Sequence, residues 1–168
     1  MNPLRPFRRP LLLSGLVLLP LAWAPLDAFS KDHAFLINAS PSLPHWAFWL
    51  DRTAPIERGG LIFFEPPPSE LVERHFGEGP QMFGKRVLGM PGDVVSHHGQ
   101  EVFINGKRVA TRLAVTRLGI ALDQGPEGRI PEGCYYTGTG HQRGLDSRYG
   151  QIGFVCRNRI LGSGRAIL

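Results

Sequence analysis

A hydroxyl becomes a nucleophile only beside a group that takes its proton. Two serines stand close together in Asn38-Ala39-Ser40-Pro41-Ser42-Leu43-Pro44. Each proline holds its own φ and biases the residue before it toward extended backbone, so both hydroxyls are expected on a stiff, extended segment. Such a segment loses little entropy when held in register, and its unpaired backbone groups can receive a peptide as an added strand. The residues leave open which serine is the attacker.

The available bases are histidine, carboxylate and lysine. Of the six histidines, only His97 and His98 cluster; neighbours on a strand point to opposite faces and cannot both address one serine. Lysines are scarce: Lys31 flanks an apolar run, Lys107 follows a turn, and Lys85 lies within the apolar stretch Gly84-Lys85-Arg86-Val87-Leu88-Gly89. Strand alternation puts Lys85 on the face of Val87 and Arg86 on the other. Burial there lowers the lysine pKa toward the range of about 7 to 8 that a base needs near neutrality, a shift of roughly 4 kcal/mol supplied mostly by desolvation.

The chain of 168 residues has room for one domain and a terminal segment. Arg5, Arg8 and Arg9 precede Leu11–Leu26, an uncharged, leucine-rich run near the length that crosses a bilayer. It reads as a signal peptide or a signal anchor. Ala22-Trp23-Ala24 resembles a cleavage site, but Pro25 after it favours a retained anchor. The expected division is therefore a membrane anchor over residues 1–29 and an exported domain over residues 30–168. Arginines before the run place the N-terminus in the cytoplasm and the domain outside the cytoplasmic membrane. The same three arginines account for much of the formal charge of +5, so the domain is only mildly basic and nucleic acid is not indicated as a partner.

Proline and glycine punctuate the chain beyond residue 30, and no helical period persists, so a mainly β domain is expected. Gly59–Glu65 is a strand stopped by Pro66-Pro67-Pro68. Ser69 caps one short helix, Ser69–Phe76, ended by Gly77. Four strand candidates follow between residues 82 and 118, with Asn105-Gly106 as a two-residue hairpin turn, and together they read as one antiparallel meander. Residues 119–132 are loop-like, after which strands resume to Gly162. Trp46–Leu50 reads as core, with the alternative that Trp46, Phe48 or Trp49 dips into a membrane interface. Cys134 and Cys156, an even pair in an oxidising compartment, form a disulfide between neighbouring strands or remain two buried thiols.

Three blocks, in order after an N-terminal apolar run, resemble the serine–lysine (S26-type) signal peptidases, and among them the TraF-type conjugative transfer peptidases. They are Asn38–Pro44; Lys85-Arg86-Val87 leading to Pro91-Gly92-Asp93; and Asp146-Ser147-Arg148-Tyr149-Gly150. The resemblance implies an antiparallel β fold of the kind shared with LexA-like self-cleaving regulators. It implies Ser42 as nucleophile, Lys85 as general base and Ser40 as an oxyanion donor beside the Ser42 backbone N–H. Asp146, Arg148 and Asp93 support the lysine or the fold. Asp93 also reads simply as a turn former, and Asp146 and Arg148 as a turn cap and its partner. Two departures stand out. Gly144 occupies a position where larger signal peptidases often carry a serine bonded to the lysine, and Trp46 stands where the TraF-type pattern has glycine.

The implied protein is a membrane-anchored serine endopeptidase, a monomer in the lipid of a bacterial inner membrane with its catalytic domain in the periplasm, cleaving a precursor protein through an acyl-enzyme with no metal or organic cofactor. The implied substrate is a pilin precursor of a conjugative type IV secretion system, with cyclisation of the product as a further step. A general signal peptidase I and a non-catalytic periplasmic β domain are the alternatives.

Overall fold

A computed structural model describes Asp27, residues 29–40 and residues 42–167. The expected anchor, residues 1–29, lies almost wholly outside the described residues; among them, no helix is long and apolar enough to cross a membrane. The chain divides into two units, residues 1–34 and residues 35–168. In the first, Lys31 pairs with Asp27 at 2.7 Å and the Phe29 and His33 rings stack.

The second unit carries the sheets. Strands β1 (His33–Ile37), β2 (Ala47–Asp51), β3 (Leu61–Phe64) and β4 (Phe83–Gly89) are followed by β5 (Val94–His98), β6 (Glu101–Ile104) and β7 (Lys107–Thr111). Then come β8 (Gly128–Arg129), β9 (Cys134–Gly138), β10 (Val155–Cys156) and β11 (Ile160–Ala166). One sheet runs β1-β2-β11-β3-β4-β9-β10 and the other β7-β6-β5-β8. The pairings among β2 to β11 are antiparallel, in keeping with the mainly β expectation.

Local chemistry explains the punctuation. The proline run follows β3 immediately, and helix α1 (Glu70–Phe76) starts where the Ser69 hydroxyl accepts the Val72 N–H at 3.2 Å. Its first turn carries Glu70 and Glu73, favourable at a helix N-terminus, and Gly77 ends it at φ +89°. Asn105 and Gly106 both adopt positive φ, as a two-residue hairpin turn requires, and join β6 to β7.

Residues 82–118 are not one meander. After β4 the chain turns at Met90-Pro91-Gly92-Asp93, where the Asp93 N–H reaches the Met90 carbonyl at 3.1 Å and Gly92 takes φ +89°. Proline at the second position and glycine at the third suit this turn, which sends β5, β6 and β7 into the second sheet. Strand β7 ends at Thr111, and residues 112–118 add no further strand. The stretch read as loop, 119–132, contains β8 and the bridges Val115↔Ala121 and Gln124↔Tyr149. Among the described residues, helical backbone occurs also at residues 29–32, and one 3₁₀ turn spans Arg157–Arg159.

The principal core gathers Ile62, Phe64, Val72, Phe83, Val87 and Val155. A second core joins the small sheet to β9 through Val95, Val102, Ile104, Ile130 and Tyr136. A third, Leu71, Leu122 and Tyr149, lies under α1. Phe48 is buried in the fold whereas Trp46 is exposed, so Phe48 is core and has no membrane-facing role.

Candidate active site

The serine segment is organised by Asn38. Its side-chain oxygen accepts the Ser40 N–H at 3.0 Å, forming an Asx turn, and its amide donates to the carbonyls of Leu43 at 3.0 Å and His45 at 2.7 Å. The Asn38 N–H also reaches the Trp46 carbonyl at 2.8 Å. One side chain therefore closes the loop from residue 38 to residue 46. Sequence reading quoted Asn38 without a role; an asparagine two residues before a serine, the usual Asx spacing, is the signal that pointed to one.

Within this loop the Ser40 and Ser42 hydroxyls are hydrogen-bonded to one another at 2.8 Å, and both residues are half-buried. Leu43 tucks into the core. Its seat depends on Gly84: a β-carbon there would stand 3.3 Å from Leu43 Cδ1 and 2.7 Å from the Phe63 ring. The missing side chain lets the serine loop lie against β4.

Lys85 projects from β4, the strand between β3 and β9. Phe83, Lys85, Val87 and Gly89 are buried in alternation, with Arg86 exposed, as period-two spacing requires. Lys85 is only 5% exposed. Its Nζ has no hydrogen-bond acceptor among the described residues and stands 5.3 Å from the Phe83 ring centroid. Burial pulls its pKa from 10.5 to about 8, with the Asp146 carboxylate opposing the fall and the Arg148 guanidinium assisting it. The two members of that ion pair act on the lysine in opposite senses, so desolvation dominates.

Asp146 and Arg148 form a buried, two-pronged pair: Nε to Oδ1 at 2.8 Å and Nη2 to Oδ2 at 2.9 Å. Every remaining guanidinium proton meets a carbonyl. Nη1 reaches Thr111 and Gln142, and Nη2 reaches His141 and Gly144. Asp146 also accepts the backbone N–H groups of Thr139 and Arg148. Ser147, between them, is strapped to β9: its N–H reaches the Thr137 carbonyl at 3.1 Å and its hydroxyl accepts the Thr137 N–H at 2.9 Å. Thr137 stands opposite Val87 of β4. Ordinary strand and loop patterns in the sequence carried no sign of this Thr137–Ser147 clasp.

At Gly144 a β-carbon would lie 2.4 Å from the Thr139 hydroxyl, so a serine side chain does not fit there without a shift. Asp93 lies in the turn after β4. Burial raises its pKa, but bonds from the Met90 N–H, the Arg58 guanidinium at 2.7 Å and Asn105 outweigh it and hold the carboxyl below its ordinary value. Cys134 and Cys156 are opposed on β9 and β10 and joined by a disulfide.

Ser40, Ser42, Lys85 and Gly144 line a single cavity of about 600 Å³. Asp146 and Arg148 lie behind it, within electrostatic reach of the lysine, whereas Asp93 belongs to the turn between the sheets. A polar hydroxyl and a desolvated amine facing one open cavity can support proton abstraction from the hydroxyl.

Residues 14–168 match the family described as signal peptidase, peptidase S26. The chain belongs to the peptidase S26 signal peptidase family. It is 33% identical over 121 residues to signal peptidase I T of Bacillus subtilis, covering 67% of this chain and 56% of that protein. It is 35% identical over 92 residues to a signal peptidase I of Bacillus licheniformis, covering 49% and 48%. With the probable signal peptidase I-2 of Synechocystis it shares 32% over 107 residues, covering 63% and 45%. The chain thus spans about half the length of these relatives. A crystal structure of a signal peptidase I from Enterococcus faecalis aligns over 67% of this S26 chain and 98% of that one, at 24% identity and a TM-score of 0.39.

Proposed function

We propose that this S26-family chain is a membrane-anchored serine endopeptidase in which Ser42 attacks and the Lys85 amine is the base. The observation that carries the reading is the shared cavity of Ser42 and a buried Lys85 whose pKa falls to about 8. At that value about one amine in ten is neutral at pH 7, enough to take a proton. The Lys85 amine, with no acceptor of its own among the described residues, removes the Ser42 proton as Oγ bonds to the scissile carbonyl carbon. The developing oxyanion is held by the Ser42 N–H and by the Ser40 hydroxyl, which exchanges its bond to Ser42 Oγ for one to the oxyanion. The Lys85 ammonium then protonates the leaving amine, and water cleaves the acyl-enzyme by the same steps in reverse order. Asp146 and Arg148 position Lys85 through the loop they close, and Asp93 holds the turn after β4.

The substrate is an exported precursor cut after a small residue at the outer face of a cytoplasmic membrane, into which residues 1–29 anchor a domain of residues 30–168. The order and spacing of the serine, lysine and Asp-Ser-Arg blocks support a pilin precursor of a conjugative type IV secretion system, with joining of the new ends. The relatives named signal peptidase I support general removal of signal peptides instead. Co-expression of the full chain with each kind of precursor, followed by mass spectrometry, separates these. A pilin product shortened by its leader and lacking one further water shows cyclisation; an open pilin product shows hydrolysis; cleavage of unrelated signal-bearing precursors shows the general activity. Processing is expected to vanish for Ser42→Ala and Lys85→Ala. Full processing by Lys85→Ala refutes the mechanism.

A further inference from the structure

A second cavity, of about 260 Å³, opens between α1 and two later segments, residues 113–122 and 141–149. It shares His75, Phe76, His141, Arg143 and Leu145 with the cavity of Ser42 and Lys85. The two cavities therefore adjoin along these residues, close enough for one extended peptide to reach both.

The floor is apolar: Leu71, Leu113, Leu122, Leu145 and Tyr149, three of which form the buried cluster under the helix. The rim leaves Phe76 45% and Val115 49% exposed, apolar surface that gains by being covered. The size suits one large side chain. It exceeds the roughly 150 Å³ of a cavity that accepts benzene, and falls below the about 300 Å³ at which dedicated small-molecule pockets begin.

Charge selects the neighbour of that side chain. Arg117, Arg143, His75 and His141 border the cavity and no carboxylate does. Neither Arg117 nor Arg143 makes an ion pair among the described residues. A carboxylate next to an apolar group complements this rim.

We infer that this cavity is a specificity subsite, taking a leucine- or phenylalanine-sized side chain of the bound peptide next to an acidic residue, at a position removed from the scissile bond. The inference rests on the peptidase reading above. The residue entering the cavity contributes burial of apolar area, the force that discriminates side chains in such pockets.

The test uses the full chain in detergent and a series of peptides with a small residue at the cleavage point. Each flanking position is varied among Ala, Leu, Phe and Asp, and kcat/KM is read. One position is expected to favour Leu or Phe over Ala by tenfold or more, with an added few-fold gain from Asp beside it. In Leu113→Trp, whose ring fills the cavity, the Leu-to-Ala ratio is expected to fall to about one; Thr116→Trp, on the same segment, is a second variant should the first not fold. Arg143→Gln is expected to remove the gain from Asp. Because each readout is a ratio within one enzyme, loss of active protein does not imitate it. Cleavage with no position preferring a large apolar residue, or a preference that survives both tryptophans, overturns the subsite and leaves the peptidase standing. If wild type cuts no peptide and no precursor, both readings fall.

Discussion

The serine loop and the Asp146–Arg148 loop face the same lysine but are built oppositely. The first is half-exposed, and one side chain, Asn38, supplies the bonds that close it. The second is buried, and Arg148 alone donates to four backbone carbonyls besides its carboxylate partner. On the proposed reading the attacking hydroxyl must be reached by substrate, and its loop is set against the core through little more than Leu43. On the same reading a base with a lowered pKa must be dry, and the loop behind Lys85 is buried with all the Arg148 donors met by acceptors. Damage to the serine loop is therefore expected to fall on catalysis and damage to the Asp146–Arg148 loop to fall on folding.

The largest expected effect separates activity from stability. Lys85→Met should abolish processing, a loss on the order of 10⁴-fold or more, while raising stability near neutral pH by about 1–3 kcal/mol. The sign follows from linkage. Below about pH 8 folded and unfolded chains both carry the ammonium, and its burial penalty is felt in full; between about 8 and 10.5 the folded chain releases the proton first, so wild-type stability rises with pH. Thermal melts across that range, compared with Lys85→Met, check it; equal slopes in both proteins contradict a buried, depressed lysine.

Next is Arg148→Ala, which leaves Asp146 buried and unpaired and several carbonyls without donors. Such losses destabilise by about 3–5 kcal/mol, and a urea titration measures it. A loss under about 1 kcal/mol breaks the comparison, because the two loops are then equally forgiving.

On the serine side, Ser40→Ala should slow kcat by about 10²- to 10³-fold with little change in melting temperature. Asn38→Ala should lower stability by about 1–3 kcal/mol through its unpaired carbonyls and reduce kcat with it. An Asn38→Asp variant, which keeps the acceptor for the Ser40 N–H but loses both donated bonds, tells the two contributions apart.

The smallest effect is graded. With a base of pKa about 8, kcat/KM should climb about tenfold per pH unit below that value and level off above it. A profile flat through neutrality points to another base.

Much of the local structure was legible because its causes are local. Ser69 as a cap, Asn105-Gly106 as a hairpin turn and the proline stop after β3 depend on residues adjacent in the chain. So does the burial of Lys85 on the face of Val87, which follows from strand alternation. The misread region, 82–118, failed for a reason equally definite: the turn at Pro91-Gly92 looks like any link in a meander, and only packing of Ile104 and Ile130 against Tyr136 of β9 makes it a junction between two sheets. Strands β1 and β2 escaped notice because five-residue apolar runs beside a proline-rich loop carry no strong period.

By itself, the order of residues determined which groups were on offer: two hydroxyls beside prolines, one lysine in an apolar strand, one Asp-Ser-Arg turn and one cysteine pair. The tertiary structure decided which of them meet. Ser42 and Lys85 are separated by two strands and a helix in the chain, and they line one cavity because β3 pairs with β4 and because Gly84 leaves room for Leu43. Arg148 finds carbonyls as far away as Thr111. Such meetings depend on long loops being closed by the burial of a shared core: strand alternation encodes the buried face of Lys85, but no spacing along the chain encodes which hydroxyl shares its cavity.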